Sequence, residues 1–318
     1  MYPLLLKAPI KDYLWGGTRL IDEFGFETDK ENAAEAWMLS CHKDGNSIVR
    51  NGDLCGMTLN DAIEALGKNA LGKKAADFSY FPILIKLIDA KDRLSVQVHP
   101  NDDYALANEG EYGKTEMWYV VDCDEDAKLI YGFKQDISKG EFLERINSNN
   151  LSPVCNYVPV QKGDIFFIDA GTMHAIGKGI LIAEVQQNSN TTYRISDYGR
   201  VGADGKPRKL HIKQALDVTN TKKPTKPYGD VGDVTLYPFG TVRELAKSKY
   251  FCTELIHLDG NVGIYDNDSF ISLLFLDGNA TLSYAGGTMK LKKGDSVFLP
   301  ASVKVRLTGT AQILHTHL

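Results

Sequence analysis

The sequence predicts a mainly β fold made of two similar barrels with a few short helices. Strand-like runs dominate the chain, helix signals are few, and one segment occurs twice. Short apolar or alternating runs bounded by turn residues recur at roughly 8–12-residue intervals, a spacing typical of β-barrels and sandwiches. A parallel α/β sheet would instead alternate its strands with long helices.

The predicted strands fall into two groups. The first group contains the runs at residues 81–90, 94–100, 116–122, 128–133, 164–170 and 181–187. The second group contains the runs at residues 270–278, 280–285, 296–301 and 303–309. The segment 221–233 between them is rich in Lys, Pro and Gly and has no periodicity, which is typical of a domain boundary. We therefore predict a first domain at 1–220 that includes an N-terminal extension, a linker at 221–233 and a second domain at 234–318.

Three short helices are predicted from local signals. Thr58 and Asp61 are spaced to cap one helix, and Ser138 and Glu141 form an S-x-x-E capping box for a second. A third short helix is predicted near residues 211–217. These helices are too few and too short to form a layer of their own.

A repeated segment supports two copies of one barrel. Residues 163–174 read GDIFFIDAGTMH, and residues 294–305 read GDSVFLPASVKV. Each has a Gly-Asp pair, a short apolar strand, a turn of small residues and a resumed strand. His174 ends the first copy and Val305 ends the second. A metal ligand at this position would occur in the first barrel alone. The second barrel is therefore expected to be a degenerate copy that lacks this ligand.

The composition excludes several classes of function. The net charge of −5 and the scattered basic residues do not give the basic stripe of a nucleic-acid-binding protein. The N-terminal apolar run is too short for a signal peptide, and no run is long enough to span a membrane. Five widely separated cysteines without a CxxC pair indicate reduced thiols. We predict a cytoplasmic protein with a small-molecule partner, without nucleic acid or membrane, and with no obligate protein partner.

Four residues of the first barrel form a candidate metal site: Gln97, His99, Glu116 and His174. Gln97 and His99 are two apart on a predicted strand, so both side chains project from one face. An amide oxygen, a carboxylate and two imidazoles suit zinc and leave a coordination position open for water or substrate. Taken singly, each residue could instead be a hydrogen-bonded turn residue or a solvated side chain.

The histidines of the C-terminal His315-Thr316-His317 sequence have the same one-apart spacing. They lie at the extreme end of the chain with no acidic residue nearby in the sequence. Because chain termini are often poorly ordered, we expect this segment to be a frayed tail.

Several motifs resemble those of one enzyme family. They read WGG (15–17), AEAWMLSCHKDGNS (34–47), QVHPND (97–102), GKTEMWY (113–119), DAGTMHAIG (169–177) and EVQQNSNTTYRISDYGR (184–200). Together they are similar to the type I phosphomannose isomerases, in particular the short bacterial form. The similarity runs from about residue 10 to residue 218. It implies a fold of two cupin (jelly-roll) barrels, the first metal-binding and the second degenerate.

The resemblance also assigns roles to individual residues. It implies one zinc ion per chain, held by the four residues of the candidate metal site. Arg194 matches the family's active-site arginine, Lys114 matches a lysine of the substrate pocket, and Ser95 matches a substrate-facing hydroxyl. Long relatives have a histidine where this chain has Gly113, so the proton-transfer base stays open, with Lys114 and Asp197 as candidates.

The activity that the resemblance implies is the reversible isomerisation of mannose-6-phosphate and fructose-6-phosphate by zinc-assisted proton transfer through an enediol. Two alternatives remain open at this point. A mononuclear-metal cupin dioxygenase would use a similar set of nitrogen and oxygen ligands. A non-catalytic sugar-binding cupin would bind its ligand without turnover.

Overall fold

The structure, a computed structural model, describes residues 1–202 and 205–318 and is built mainly from antiparallel strands. The strands that precede the predicted linker are β1 (Leu4–Lys7), β2 (Ile10–Lys11), β3 (Glu35–Leu39), β4 (Cys41–His42), β5 (Gly45–Asn46), β6 (Ile48–Val49), β7 (Ile83–Ala90), β8 (Val96–Val98), β9 (Glu116–Cys123), β10 (Lys128–Phe133), β11 (Cys155–Pro159), β12 (Ile165–Ile168), β13 (His174–Ala175), β14 (Ile180–Gln187) and β15 (Tyr193–Ser196). Those that follow it are β16 (Val234–Tyr237), β17 (Gly240–Lys247), β18 (Cys252–Ile264), β19 (Ile271–Tyr284), β20 (Gly287–Lys292), β21 (Ser296–Leu299) and β22 (Val305–His317).

The helices are short and lie between the strands. The α-helices are α1 (Arg19–Asp22), α2 (Leu59–Leu66), α3 (Asp102–Asn108), α4 (Lys139–Asn147) and α5 (Ile212–Val218). Four 3₁₀ turns cover Gly52–Leu54, Lys68–Leu71, Lys73–Asp77 and Ser152–Val154. No helix in the described parts of the chain is long and apolar enough to cross a membrane.

The predicted caps of two helices are confirmed. The Thr58 side chain accepts a hydrogen bond from the Asp61 N–H at 3.1 Å and begins α2. The Ser138 side chain accepts one from the Glu141 N–H at 3.0 Å and begins α4. The third predicted helix is present as α5.

Two antiparallel sheets form the first barrel. One has the strand order β12-β9-β14-β7-β3-β2, and the other has the order β11-β10-β13-β8-β15. Apolar side chains from both sheets meet in one buried cluster that includes Ile88, Trp118, Tyr131, Phe166 and Ile182. The sheets therefore pack face to face, and the inward-pointing residues of β8, β9 and β13 share one interior.

The second barrel is built from a nine-stranded sheet with the order β16-β17-β18-β22-β19-β21-β1-β6, in which β20 also pairs with β19. The two runs predicted at 270–278 and 280–285 are one continuous strand, β19. The pairing register with β22 shifts between Phe275 and Asp277, and Gly278 has a φ of +73°. A β-bulge therefore lies at Leu276, and the Asp-Gly-Asn sequence that follows it continues the strand instead of forming a turn between two strands.

Strands from the N-terminal part of the chain also belong to this second sheet. β1 pairs with β21 on one side and with β6 on the other. Leu4 of β1 is fully buried in a cluster that also contains Met117 and Leu314, so the barrels share an apolar contact. The domain limits at 1–220 and 234–318 stay a prediction, and β1 and β6 contribute to the sheet of the later segment.

The prediction of a frayed C-terminal tail is wrong. His315 and His317 lie in β22, which pairs with β18 on one side and β19 on the other. His315 Nδ1 lies 3.1 Å from Glu254 Oε2 on the neighbouring strand. The acidic partner is distant in sequence and becomes a neighbour only through the pairing of β18 with β22.

Candidate metal centre

One row of residues crosses three neighbouring strands of the first barrel. His174 on β13 is opposite Gln97 on β8, and Gln97 is opposite Arg194 on β15. Opposed residues of antiparallel strands have their side chains on the same face. Gln97 Nε2 accordingly lies 3.4 Å from His174 Nε2. The row brings an imidazole, an amide and a guanidinium together.

Glu116 at the start of β9 completes a compact cluster with the two histidines. His99 Nε2 lies 3.3 Å from Glu116 Oε1, and His174 Nε2 lies 3.8 Å from Glu116 Oε2. One potential ligand atom from each residue lies within 4.8 Å of the others, and all three side chains are buried. The structure thus brings three of the four predicted ligands into one cluster, with Gln97 beside His174.

Hydrogen bonds fix both imidazole rings. His99 Nδ1 lies 2.9 Å from the carbonyl oxygen of Thr191, and His174 Nδ1 lies 2.8 Å from that of Thr172. An Nδ1–H that donates to a carbonyl leaves Nε2 as the acceptor atom, an arrangement typical of metal-binding histidines. Both Nε2 atoms are turned towards Glu116.

The carboxylate of Glu116 needs a cationic partner. It is fully buried, yet neither of its oxygens has an aligned hydrogen bond. Burying an ionised carboxylate is costly unless it is paired or coordinates a metal. The Lys114 ammonium lies 2.7 Å from Glu116 Oε1 and 3.3 Å from His99 Nε2. The cluster therefore attracts positive charge, and its donor set fits a divalent cation.

The protonation states suit metal binding. Burial, reinforced by the charge of Lys114, lowers the pKa of His99 to about 3. Burial also lowers the pKa of His174. Burial alone would raise the pKa of Glu116, but the nearby charges of Lys114 and His99 hold it well below its usual value. Neutral imidazoles and an ionised carboxylate are the forms that bind a metal.

Two further predicted residues line this part of the barrel. Lys114 is buried at the position described above. Ser95 is also buried, and its hydroxyl donates to Gln97 Oε1 at 3.4 Å. Ser95 therefore contacts a predicted metal ligand.

A buried ionic network in the same barrel was missed from the sequence. Lys86 Nζ lies 3.3 Å from Glu184 Oε1 and 3.7 Å from Glu35 Oε2. The indole of Trp118 donates to Glu184 at 2.9 Å, and that of Trp37 donates to Glu35 at 2.7 Å. The signal was present, because Lys86 and Glu184 each follow three apolar or small residues and interrupt the apolar part of a fully buried strand.

The charges of this network influence one another. Burial would lower the pKa of Lys86, but the charges of Glu35 and Glu184 outweigh it and leave that pKa raised. Burial, and then the negative charge of Glu116, raise the pKa of Glu184. Glu184 lies two residues before Gln186, the residue opposite Glu116, so it faces the same barrel interior.

A group of arginines surrounds Asp197, just after β15. Arg200 and Arg208 each donate to Asp197 at 2.6 Å. Burial would raise the pKa of Asp197, but these hydrogen bonds outweigh it and lower that pKa. Arg194 donates to the Lys209 carbonyl at 3.0 Å, and its buried Nε has no hydrogen-bond partner among residues 1–202 and 205–318. Asp197 therefore holds two arginines in place, and these contacts do not support its candidacy as the base.

The duplicated antiparallel barrel and the buried imidazole–carboxylate cluster define a two-barrel cupin protein with a candidate metal centre. The model of the phosphomannose isomerase type I catalytic domain matches residues 4–125, and that of the mannose-6-phosphate isomerase cupin domain matches residues 241–318. The chain belongs to the type I phosphomannose isomerase family, as its full-length relatives also establish.

Those relatives and solved structures cover almost the whole chain. Mannose-6-phosphate isomerase from Streptococcus mutans is 38% identical across 99% of this chain and 98% of its own length. A Bacillus subtilis mannose-6-phosphate isomerase is 36% identical across 99% of both. The crystal structure of the mannose 6-phosphate isomerase from Bacillus subtilis superposes with a TM-score of 0.91, at 34% identity over 100% of both chains.

Proposed function

We propose that this chain is a mannose-6-phosphate isomerase, which interconverts mannose-6-phosphate and fructose-6-phosphate. Relatives that span its full length carry this activity in their names. The observation that carries the proposal is the buried cluster of His99, Glu116 and His174. His174 lies in the row of strands that also bears Arg194. A buried carboxylate with perturbed pKa beside two fixed imidazoles is typical of a functional site.

The proposed metal is zinc, one ion at this centre. Gln97, His99, Glu116 and His174 would hold it through one amide oxygen, one carboxylate and two imidazoles. When bound, the ion supplies a Lewis acid that polarises the carbonyl group of the open-chain sugar. The burial of the Glu116 carboxylate between both imidazoles and the fixed orientation of the two rings support this assignment.

The chain's own residues would handle the proton that moves between C2 and C1 through an enediol. Lys114 is the first candidate, because its buried amine contacts Glu116 and lies beside His99 of the proposed metal site. Glu184 is a second candidate, because its raised pKa favours a protonated carboxyl group that can give up a proton and take it back. The role of Arg194 is to stabilise negative charge that develops on the sugar oxygens.

The phosphate of the substrate would be bound by the arginine group at the end of β15. Arg194, Arg200 and Arg208 lie close enough for their charges to influence one another. Guanidinium groups recognise phosphate through paired hydrogen bonds. Ser95 is proposed to contact a sugar hydroxyl, since its side chain lies beside Gln97.

A coupled assay tests the proposed function. Mannose-6-phosphate, glucose-6-phosphate and unphosphorylated mannose are compared as substrates, with formation of the ketose product as the readout. We expect turnover of mannose-6-phosphate alone. Oxygen uptake without isomerisation would favour the dioxygenase alternative, and binding without turnover would favour a sugar-binding cupin.

We also propose that the protein acts in the cytoplasm. All five cysteines are free thiols, which fits a reducing compartment. The partner required by the proposed reaction is a sugar phosphate. The absence of an obligate protein partner stays a prediction from the sequence.

A further inference from the structure

A second group of metal-ligand side chains lies in the C-terminal barrel, on strands β18 and β22. Glu254, His315 and His317 bring one carboxylate oxygen and two imidazole nitrogens within 4.8 Å of one another. Across residues 1–202 and 205–318 it is the one such group apart from the candidate metal centre. All three side chains are partly buried.

The strand register explains why these side chains meet. Glu254 is opposite His315, and Cys252 is opposite His317. Opposed residues share a face of the sheet, and so do residues two apart along a strand. Four side chains of ligand type, including the free thiol of Cys252, therefore form a two-by-two block on one face.

This block lies at the end of an apolar surface. Its neighbours on the same face of β18, β19 and β22 are all buried aliphatic residues that belong to the interior of the second barrel: Ile256, Ile271, Leu273 and Ile313. Ionisable groups bordering such a surface are costly unless they are paired or coordinate a metal. The block is thus a polar end to an otherwise apolar barrel interior.

The hydrogen bonding of the block is the kind found at the candidate metal centre. His317 Nδ1 lies 2.9 Å from the main-chain oxygen of Leu318, which leaves Nε2 free for a ligand. Lys74 donates to the same oxygen at 2.5 Å and so helps to hold it. His315 Nδ1 is buried and lies 3.1 Å from Glu254 Oε2, yet it has no aligned hydrogen bond. A cation bound between the His315 imidazole and the Glu254 carboxylate would give both groups a partner.

We propose that Glu254, His315 and His317 bind a second divalent cation of the zinc type. Two imidazoles and a carboxylate are a common zinc ligand set. Cys252 is within reach as a fourth ligand, because directly opposed residues have Cβ atoms about 4.5–5.5 Å apart. The bound cation would tie β18 to β22 near the end of the chain and stabilise the folded state by binding to it alone.

Metal content of the full-length chain tests the proposal. Purified protein is equilibrated with zinc, separated from free metal by gel filtration and measured by elemental analysis. We expect about two zinc ions per chain, one at each of the two centres. Glu254→Ala and His99→Ala are each expected to remove about one ion, and the double variant both. Glu254→Ala should leave the isomerase activity unchanged, because Glu254 lies in the other barrel.

His257→Ala is the matched control, since His257 lies on the same strand and outside the group. It should keep the wild-type zinc content. In the His99→Ala background, zinc should raise the midpoint of thermal unfolding, and His317→Ala should abolish that rise. A wild-type chain with one zinc, or a Glu254→Ala chain with the wild-type zinc content, would overturn the proposal.

Discussion

Arg194 lies directly opposite Gln97 in the strand ladder of the first barrel. Its guanidinium therefore shares a face with a proposed metal ligand, and charge that develops on a sugar at that metal would lie near it. Burial, and then the charge of Arg208, lower the pKa of Arg194, which still leaves the group cationic at neutral pH. The pairing makes Arg194 a candidate for stabilising the transition state.

The first prediction follows from this pairing. Arg194→Lys keeps the charge but loses the planar group with its several fixed donors. We expect kcat to fall about 10²-fold or more, the usual effect of removing a donor that addresses developing charge. Steady-state kinetics with mannose-6-phosphate would check this. A rise in KM with kcat unchanged would instead assign Arg194 to phosphate binding alone.

The second prediction concerns the metal at the first centre. His99→Ala or His174→Ala removes one of four protein ligands and should abolish zinc binding there, with loss of activity. Treatment of the wild-type protein with a chelator should have the same effect, and added zinc should restore turnover. His257→Ala is the control, because His257 is far from this centre on β18. Full activity of the His99→Ala or the His174→Ala variant would refute the assignment of these histidines to the metal site.

The third prediction concerns the buried network around Lys86. Lys86→Met leaves two buried carboxylates, Glu35 and Glu184, without their cation. Breaking a buried ion pair from one side costs about 3–5 kcal/mol, and the unfolding free energy measured in urea should fall by that amount. Lys43→Met is the control, because the Lys43 side chain is 71% exposed beside Glu111 and such pairs contribute about 0–1 kcal/mol. Equal stability of both variants would show that the network is not stabilising.

The fourth prediction separates two roles of Asp197. If Asp197 only holds Arg200 and Arg208, Asp197→Asn should raise the KM for mannose-6-phosphate roughly tenfold, because charge-assisted hydrogen bonds contribute about 1.5–3 kcal/mol. The value of kcat should change much less. Asp92→Asn is the control, since Asp92 is a more exposed and more distant partner of Arg200. A collapse of kcat with KM unchanged would make Asp197 the base.

The fifth prediction concerns the path of the hydrogen. An enediol path places the proton on a protein group that exchanges with solvent, so turnover in deuterated water should put deuterium at C1 of fructose-6-phosphate. A direct hydride shift would instead transfer the original hydrogen from carbon to carbon. NMR of the product after many turnovers distinguishes the two, and complete retention of the C2 hydrogen would contradict the enediol.

The sequence predicts the parts of this structure that depend on local pattern. The strand period of two predicts that Gln97 and His99 share one face of a strand, whereas β8 ends at Val98 and His99 directly follows it. The repeated Gly-Asp segment led to His174. The helix N-caps at Thr58 and Ser138 were also predictable from the sequence, because each involves a backbone N–H only three residues away.

The parts that the sequence does not predict depend on which strands become neighbours. Glu254 and His315 face each other only because β18 and β22 pair. The local sequence does not show this pairing, so the C-terminal histidines were wrongly predicted to form a frayed tail. Lys86 and Glu184 are likewise opposed across β7 and β14. Each charge lies within a largely apolar strand run, and nothing in the local pattern indicates that two buried charges compensate each other.

The position of β1 has a consequence for how the chain can reach this fold. β1 pairs with β21, a strand that is made much later during synthesis of the chain. The pairing of β1 with β21 joins two segments that are separated by nearly the whole chain. Such long-range pairing slows folding. Until this pairing forms, β21 has one unpaired edge, which is a template for pairing with a second copy of the chain. Residues 234–318 made alone would keep that edge permanently, so they are expected to aggregate unless Leu4–Lys7 is supplied as a separate peptide.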